Sequence, residues 1–203
     1  MFIVSQVLDW ALHARHAWAL RRIVSKTENK VFTHMTPLER LALYSAAISM
    51  PEGATIVEVG SYLGASTVLL AAAARQRHGR VFCIDTWRNE TMPEGARDTF
   101  AEFMRNVARH IDVIRPLRKR SDQLMPGELP DRLEFVFLDG DHSYEAVIRE
   151  YRFFTSRLAS GSILAMHDVL HFEGPQIVMG DAIATGNYRL AHFVENLAIL
   201  RRT

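Results

Sequence analysis

A chain of 203 residues with 48% hydrophobic and 23% charged side chains has the make-up of a folded globular domain, which excludes a disordered tail, a fibrous repeat and a membrane bundle. At this length folding removes roughly 70% of the extended surface from water, so one core suffices without covalent staples. The 24 basic and 23 acidic residues leave a net charge of +1, too near balance for a general grip on nucleic acid.

From Ser5 to about Ile23, the residues Val7, Leu8, Ala11, Leu12, Trp18 and Ile23 recur at helical spacing and predict an amphipathic helix. Gln6, Asp9, His13, Arg15 and His16 interrupt its apolarity before the ~20 residues of a membrane span accumulate, so no membrane partner is expected. A second helix is announced by Thr36 as N-cap, Pro37 at the first helical position and Glu39 at the capping-box position; it should end near Ser49, before Pro51-Glu52-Gly53. Residues 1–35 are thus expected as a helical leader and 36–203 as the main domain, together forming one compact unit.

Short apolar runs then stand at Thr55 to Val59, Val81 to Ile84, Ile111 to Arg115, Leu133 to Leu138 and Ser162 to Met166, with helical stretches between them. Runs without polar alternation are what strands buried on both faces show, so the expected fold is α/β, a Rossmann-like doubly wound and mostly parallel sheet. Tyr188 to Val194 and Leu197 to Arg201 follow one another without a helix and should close the sheet as an antiparallel pair. Cys83, the single cysteine, lies inside Arg80-Val-Phe-Cys-Ile and reads as a buried small hydrophobe, consistent with a cytoplasmic setting.

The segment Ile56-Val-Glu-Val-Gly-Ser-Tyr-Leu-Gly-Ala-Ser-Thr67 sets a strand, an acid, a glycine turn and a helix start in immediate succession. Gly60 and Gly64 permit a sharp turn and a close ligand, and the helix beginning near Ala65 offers free N–H groups to a carboxylate. The Gly-x-x-x-Gly spacing lacks the third glycine of a dinucleotide fingerprint, which disfavours a nicotinamide-dependent oxidoreductase, and Glu58 inside the strand suits a cationic amino-acid ligand. Asp85 ends the next strand, where a ribose would be met; its alternative role is to cap the following turn.

Glu58-Val-Gly-Ser-Tyr-Leu-Gly-Ala-Ser66 resembles the first motif of the small class I S-adenosylmethionine-dependent O-methyltransferases, the group of catechol, caffeoyl-CoA and macrolide-sugar enzymes. Phe135-Val-Phe-Leu-Asp-Gly-Asp-His-Ser-Tyr144 and Ile163-Leu-Ala-Met-His-Asp-Val169 are similar to that group's fourth and fifth strand ends, so the likeness spans about residues 36 to 170. It implies S-adenosylmethionine as cofactor, with Glu58, Gly60, Tyr62, Gly64 and Ser66 forming its methionine cradle beside Asp139, and Asp85 on the ribose. It also implies that Ser121 and Asp122 border the adenine, while Trp87 either covers a cofactor or substrate face or simply packs.

Asp139 and Asp141 follow one strand and His167-Asp168 another, and adjacent strand ends of an open parallel sheet share one crevice. Convergent carboxylates repel unless a cation lies between them, and a divalent metal such as Mg²⁺ suits them. The resemblance assigns Asp139, His167 and Asp168 as its ligands, the imidazole also admitting Mn²⁺, Fe²⁺ or Zn²⁺. The other reading makes Asp139 and Asp141 caps of the helix beginning near Ser143, with His167 packed in the core.

The resemblance implies Asp141 or His142 as general base, each standing where one branch of the group carries it, with Asp141 preferred. The basic run Arg115, Arg118, Lys119, Arg120 reads as a solvated face, and Thr86 to Arg97 and Leu170 to Gly180 as candidate lids. The expected acceptor is a hydroxyl on a small molecule, a sugar or polyol ahead of a catechol, and a homodimer is compatible with this reading. Metal-independent transfer to nitrogen or carbon, and a non-catalytic cofactor-binding partner protein, are the alternatives.

Overall fold

Leu133–Leu138 shows why the apolar runs become strands covered on both sides: Phe135 and Phe137 enter one hydrophobic core, while Val136 and Leu138 enter another. Successive side chains of a strand point to opposite faces, so an unbroken apolar run demands a core on each. The computed structural model describes residues 15–18, 22, 24, 28–90 and 95–203. Among these, strands β1 (Thr55–Val59), β2 (Arg80–Asp85), β3 (Ile114–Arg118), β4 (Leu133–Leu138), β5 (Leu158–Met166), β6 (Tyr188–Val194) and β7 (Leu197–Arg202) form one sheet in the order β3-β2-β1-β4-β5-β7-β6. The first five strands of that order pair in parallel, and β7 runs antiparallel to both β5 and β6. This is the expected Rossmann-like architecture with its antiparallel closing pair.

The chain moves outward from β1 through β2 to β3, then returns to place β4 on the other side of β1. Connections after β1 and β4 therefore leave in opposite directions, which opens a crevice at their C-terminal ends. Helices α1 (Pro37–Ile48) and α2 (Ala65–Gln76) cover one face, and α4 (Tyr144–Thr155) and α5 (Glu173–Ala184) cover the other; α3 (Phe100–Asn106) is a short helix between β2 and β3. The predicted capping box of α1 is formed: the Glu39 N–H donates to Thr36 Oγ1 at 3.3 Å, and the Thr36 N–H donates to Glu39 Oε2 at 2.8 Å. In α2 every residue from Ala65 to Ala74 is buried, because the helix is pressed between the sheet and α1.

Three boundaries differ from expectation. β3 begins at Ile114 rather than Ile111 and runs through Pro116, which stands opposite Cys83. Proline cannot donate to a ladder, yet β3 pairs only with β2, so its missing N–H faces outward from the sheet edge. β5 starts at Leu158, ahead of the expected Ser162, with a register shift against β4 between Leu133 and Phe135. The stretch Leu170 to Gly180, expected as a lid, is largely α5, with Pro175 in the first turn where proline is tolerated. The leading helix lies mostly outside the described residues, of which 15–18 are helical. No described helix is long and apolar enough to cross a membrane.

Candidate active site

Gly60 sits in the crevice between β1 and β4 with φ +85°, and a Cβ built there would stand 2.0 Å from the Asp139 carbonyl oxygen. Only glycine lets the loop after β1 pass this close to the loop after β4. Gly64 is the N-cap of α2 at φ +90°, where a Cβ would meet Val107 Cγ1 at 2.7 Å; it supports the loop from beneath and does not line the cleft. The cleft wall above them includes Gly60, Tyr62, Ser66 and Asp85 on one side and Asp139, Asp141, His142 and Asp168 on the other.

Asp85 is oriented by backbone donors, its Oδ2 accepting the Tyr62 N–H at 2.7 Å and its Oδ1 the Trp87 N–H at 2.6 Å. Burial pushes its carboxyl above the usual range, and those N–H groups oppose the rise. Asp85 therefore caps its turn and also faces the cleft.

Four expected cofactor contacts take other positions. Glu58 is fully buried beneath the loop, where Oε2 accepts hydrogen bonds from Ser61 at 2.7 Å and Thr67 at 2.5 Å, and burial pushes its carboxyl up to about 7. It braces the glycine turn, because a central strand covered on both faces gives its side chain no route to the cleft. Trp87 is also fully buried, its ring 4.7 Å from Phe103 and 5.0 Å from Phe100, so it packs the core. Gly64, as described, lies below the wall. Asp122 turns from the cleft to a two-point pairing with Arg120 at 3.0 Å, which holds its carboxyl low, whereas Ser121 does line the wall.

At the acidic end, Asp139, His142 and Asp168 bring one donor atom each within 4.8 Å of one another. His142 Nε2 stands 3.2 Å from Asp168 Oδ2, and its ring stacks on Phe172 at 4.3 Å. His167 takes a different part from the expected ligand. Its Nδ1 is 3.1 Å from Asp139 Oδ1 and 3.5 Å from Asp168 Oδ2, and its Nε2 is 3.4 Å from Glu39 Oε2. Burial alone would lower its pKa, but Asp139 and Asp168 outweigh burial and push it up to about 11. The donor atoms that converge are those of Asp139, His142 and Asp168, so His142 stands where His167 was expected, while His167 lies buried between Asp139, Asp168 and Glu39 as a counter-charge to them.

Asp141 is exposed on the cleft wall, and its Oδ1 accepts the Ser143 N–H at 2.8 Å at the start of α4. Within the basic run Arg118 pairs with Asp98, Lys119 with Glu128 and Arg120 with Asp122, each at 3.0 Å or less, and Lys119 and Arg120 also line the cleft.

Sequence reading missed Glu150, Glu39 and the segment Phe32 to Met35, which lines the cleft with the Phe32 ring 6.4 Å from Tyr62. Glu150 receives the Ser121 hydroxyl at 2.6 Å, and burial pushes its carboxyl up to about 7. Its signal was available, since Ala146, Val147, Glu150 and Phe154 form the buried stripe of α4 and a carboxylate on such a stripe requires a partner. Glu39 had been noticed only as a cap, and its second role depends on where β5 ends.

A family model described as a methyltransferase domain matches residues 57–169, more than half of the chain. A Staphylococcus aureus protein assigned as a caffeoyl-CoA O-methyltransferase superposes with a TM-score of 0.67 at 15% identity, over 94% of this chain and 99% of its own. The O-methyltransferase NovP gives 0.64 at 16% identity, covering 81% of this chain and 79% of its own. An O-methyltransferase from Bacillus cereus in complex with SAH gives 0.63 at 12% identity, covering 95% and 91% respectively. At these identities the likeness establishes a shared fold.

Proposed function

Because this chain belongs to the methyltransferase-domain family, we propose that it transfers the methyl group of S-adenosylmethionine to a hydroxyl on a small molecule, assisted by a divalent metal. The observation that carries the reading is one cleft whose wall holds the Gly60–Tyr62 turn and Asp85 opposite Asp139, His142 and Asp168. Gly60, Tyr62 and Ser66 would cradle the methionine part, Asp85 the ribose and Ser121 the adenine edge. The solved structures it resembles include O-methyltransferases by name, which supports oxygen as the atom methylated.

The donor set fits a divalent cation: two carboxylates and an imidazole converge, and the mixture of oxygen and nitrogen suits Mn²⁺, Fe²⁺ or Zn²⁺ as well as Mg²⁺. Such a cation, when bound, makes an acceptor hydroxyl more acidic. Asp139 and Asp168 supply charge, and His167 keeps that charge from driving them apart. Asp141, on the cleft wall, takes the hydroxyl proton. The oxygen then bonds to the methyl carbon as the carbon–sulfur bond breaks, and the electron pair passes to sulfur, leaving S-adenosylhomocysteine. A sugar or polyol acceptor is favoured over a catechol by the polar wall residues Thr33, His34 and Thr86.

Replacement Asp168→Ala should leave S-adenosylmethionine binding intact while abolishing both transfer and metal affinity, checked by calorimetry and by a methyl-transfer screen of hydroxylated metabolites. Unchanged turnover rejects the mechanism. Metal-independent transfer to nitrogen or carbon is the second reading, favoured by the position of His167 within 3.5 Å of both Asp139 and Asp168, where it can offset part of their charge. Turnover insensitive to chelator selects it.

A further inference from the structure

Asn196 lies in the turn between β6 and β7, is 7% exposed, and spends every polar group it has on the acidic end of the cleft. Its backbone N–H donates to Glu39 Oε1 at 2.8 Å, and its carbonyl accepts the Val169 N–H at 3.3 Å. Its side-chain oxygen accepts the Leu170 N–H at 2.7 Å, while Nδ2 donates to Asp168 Oδ1 at 2.5 Å and lies 2.8 Å from His171 Nδ1. The amide orientation follows from these partners, since a backbone N–H requires the oxygen and a carboxylate requires the NH₂.

Asp168 has φ +59°, a left-handed conformation that non-glycine residues adopt only when their surroundings impose it. With Oδ1 tied to Asn196, Oδ2 is the oxygen presented to His142 at 3.2 Å and to His167 at 3.5 Å. The turn carrying Asn196 is itself held by α1, through the Glu39 contact and through the Thr36 hydroxyl, which donates to Glu195.

We infer that Asn196 is a positioning residue that aims Asp168 Oδ2 at the centre it shares with Asp139 and His142. The inference rests on the reading of that trio as a metal site. Partners that orient metal ligands typically change affinity by about 10–100-fold when removed.

The test is calorimetric titration of Mn²⁺ into the full chain, wild type against Asn196→Ala, with S-adenosylhomocysteine titrated separately into both. The expected result is Mn²⁺ affinity lowered roughly 10–100-fold and S-adenosylhomocysteine affinity kept within about twofold. Equal Mn²⁺ affinity in both proteins overturns the inference and leaves the metal reading standing. Absence of Mn²⁺ binding by the wild type overturns both. Asn196→Leu, which keeps the branching and heavy-atom count of asparagine without its hydrogen-bonding groups, carries the same comparison where the alanine cavity prevents folding. Loss of both ligands in both variants makes Asn196 a support of the fold and also overturns its aiming role.

Discussion

Glu58 and Glu150 are carboxyls that burial pushes up to about 7, the first held by Ser61 and Thr67, the second by Ser121. A carboxyl raised in the folded state keeps its proton more firmly there, so its contribution to stability is complete below about 4.5 and is lost as pH climbs to about 7. His167, raised to about 11 by its carboxylate neighbours, contributes fully below about 6.5 and loses its contribution as pH rises through 11. All three act in one direction, so thermal stability should decline steadily from pH 5 to 9. Glu58→Gln should flatten the part below pH 7 and gain up to about 3 kcal/mol over wild type at pH 8; melting curves across that range check it, and a flat wild-type profile refutes it. Gly60→Ala is expected to cost at least about 2 kcal/mol, because it combines a strained φ with a collision against the Asp139 carbonyl. Denaturant titration measures that loss. Gly60 was legible as a ligand-approach glycine, but the backbone it approaches belongs to the loop after β4, nearly eighty residues away, which no local pattern displays.

Helix α1 was readable from its ends, because Thr36, Pro37 and Glu39 carry the capping chemistry within four positions. Thr36→Ala should destabilise the protein by about 1 kcal/mol, as N-cap truncations do. It should also weaken the tie between α1 and the β6–β7 turn, since the same hydroxyl donates to Glu195; denaturant unfolding combined with Mn²⁺ titration reads both effects, and an unchanged midpoint rejects the first. Strands β1 and β4 were found at their true limits, because a strand with two covered faces is mostly apolar, with Glu58 and Glu134 the acidic exceptions. β3 was misplaced because Pro116 reads as a terminator, and only the sheet order reveals an edge where proline is harmless.

For the whole molecule, a ligand that binds only the folded chain raises stability by mass action, roughly 2.7 kcal/mol at a hundred times its dissociation constant. S-adenosylhomocysteine should therefore raise the melting temperature while NAD leaves it unchanged, and Asp85→Ala should abolish the rise. Stabilisation by NAD alone would overturn the proposed cofactor. The crevice itself follows from topology: strand order reverses between β1 and β4, so residues from both halves of the chain meet at one edge.

Composition, hydrophobic periodicity and the glycine turn were enough to determine the fold class and the antiparallel closing pair, because those depend on local chemistry repeated along the chain. Only the tertiary structure decided which side chains enter the cleft. Glu58 and Trp87 turned inward, His167 became a counter-ion clamped by Glu39, and Asn196, from a turn without any motif, came to rest on Asp168. The reason is physical: side-chain direction and protonation depend on which strands are neighbours and how much water remains between them, and those quantities exist only after the sheet has assembled.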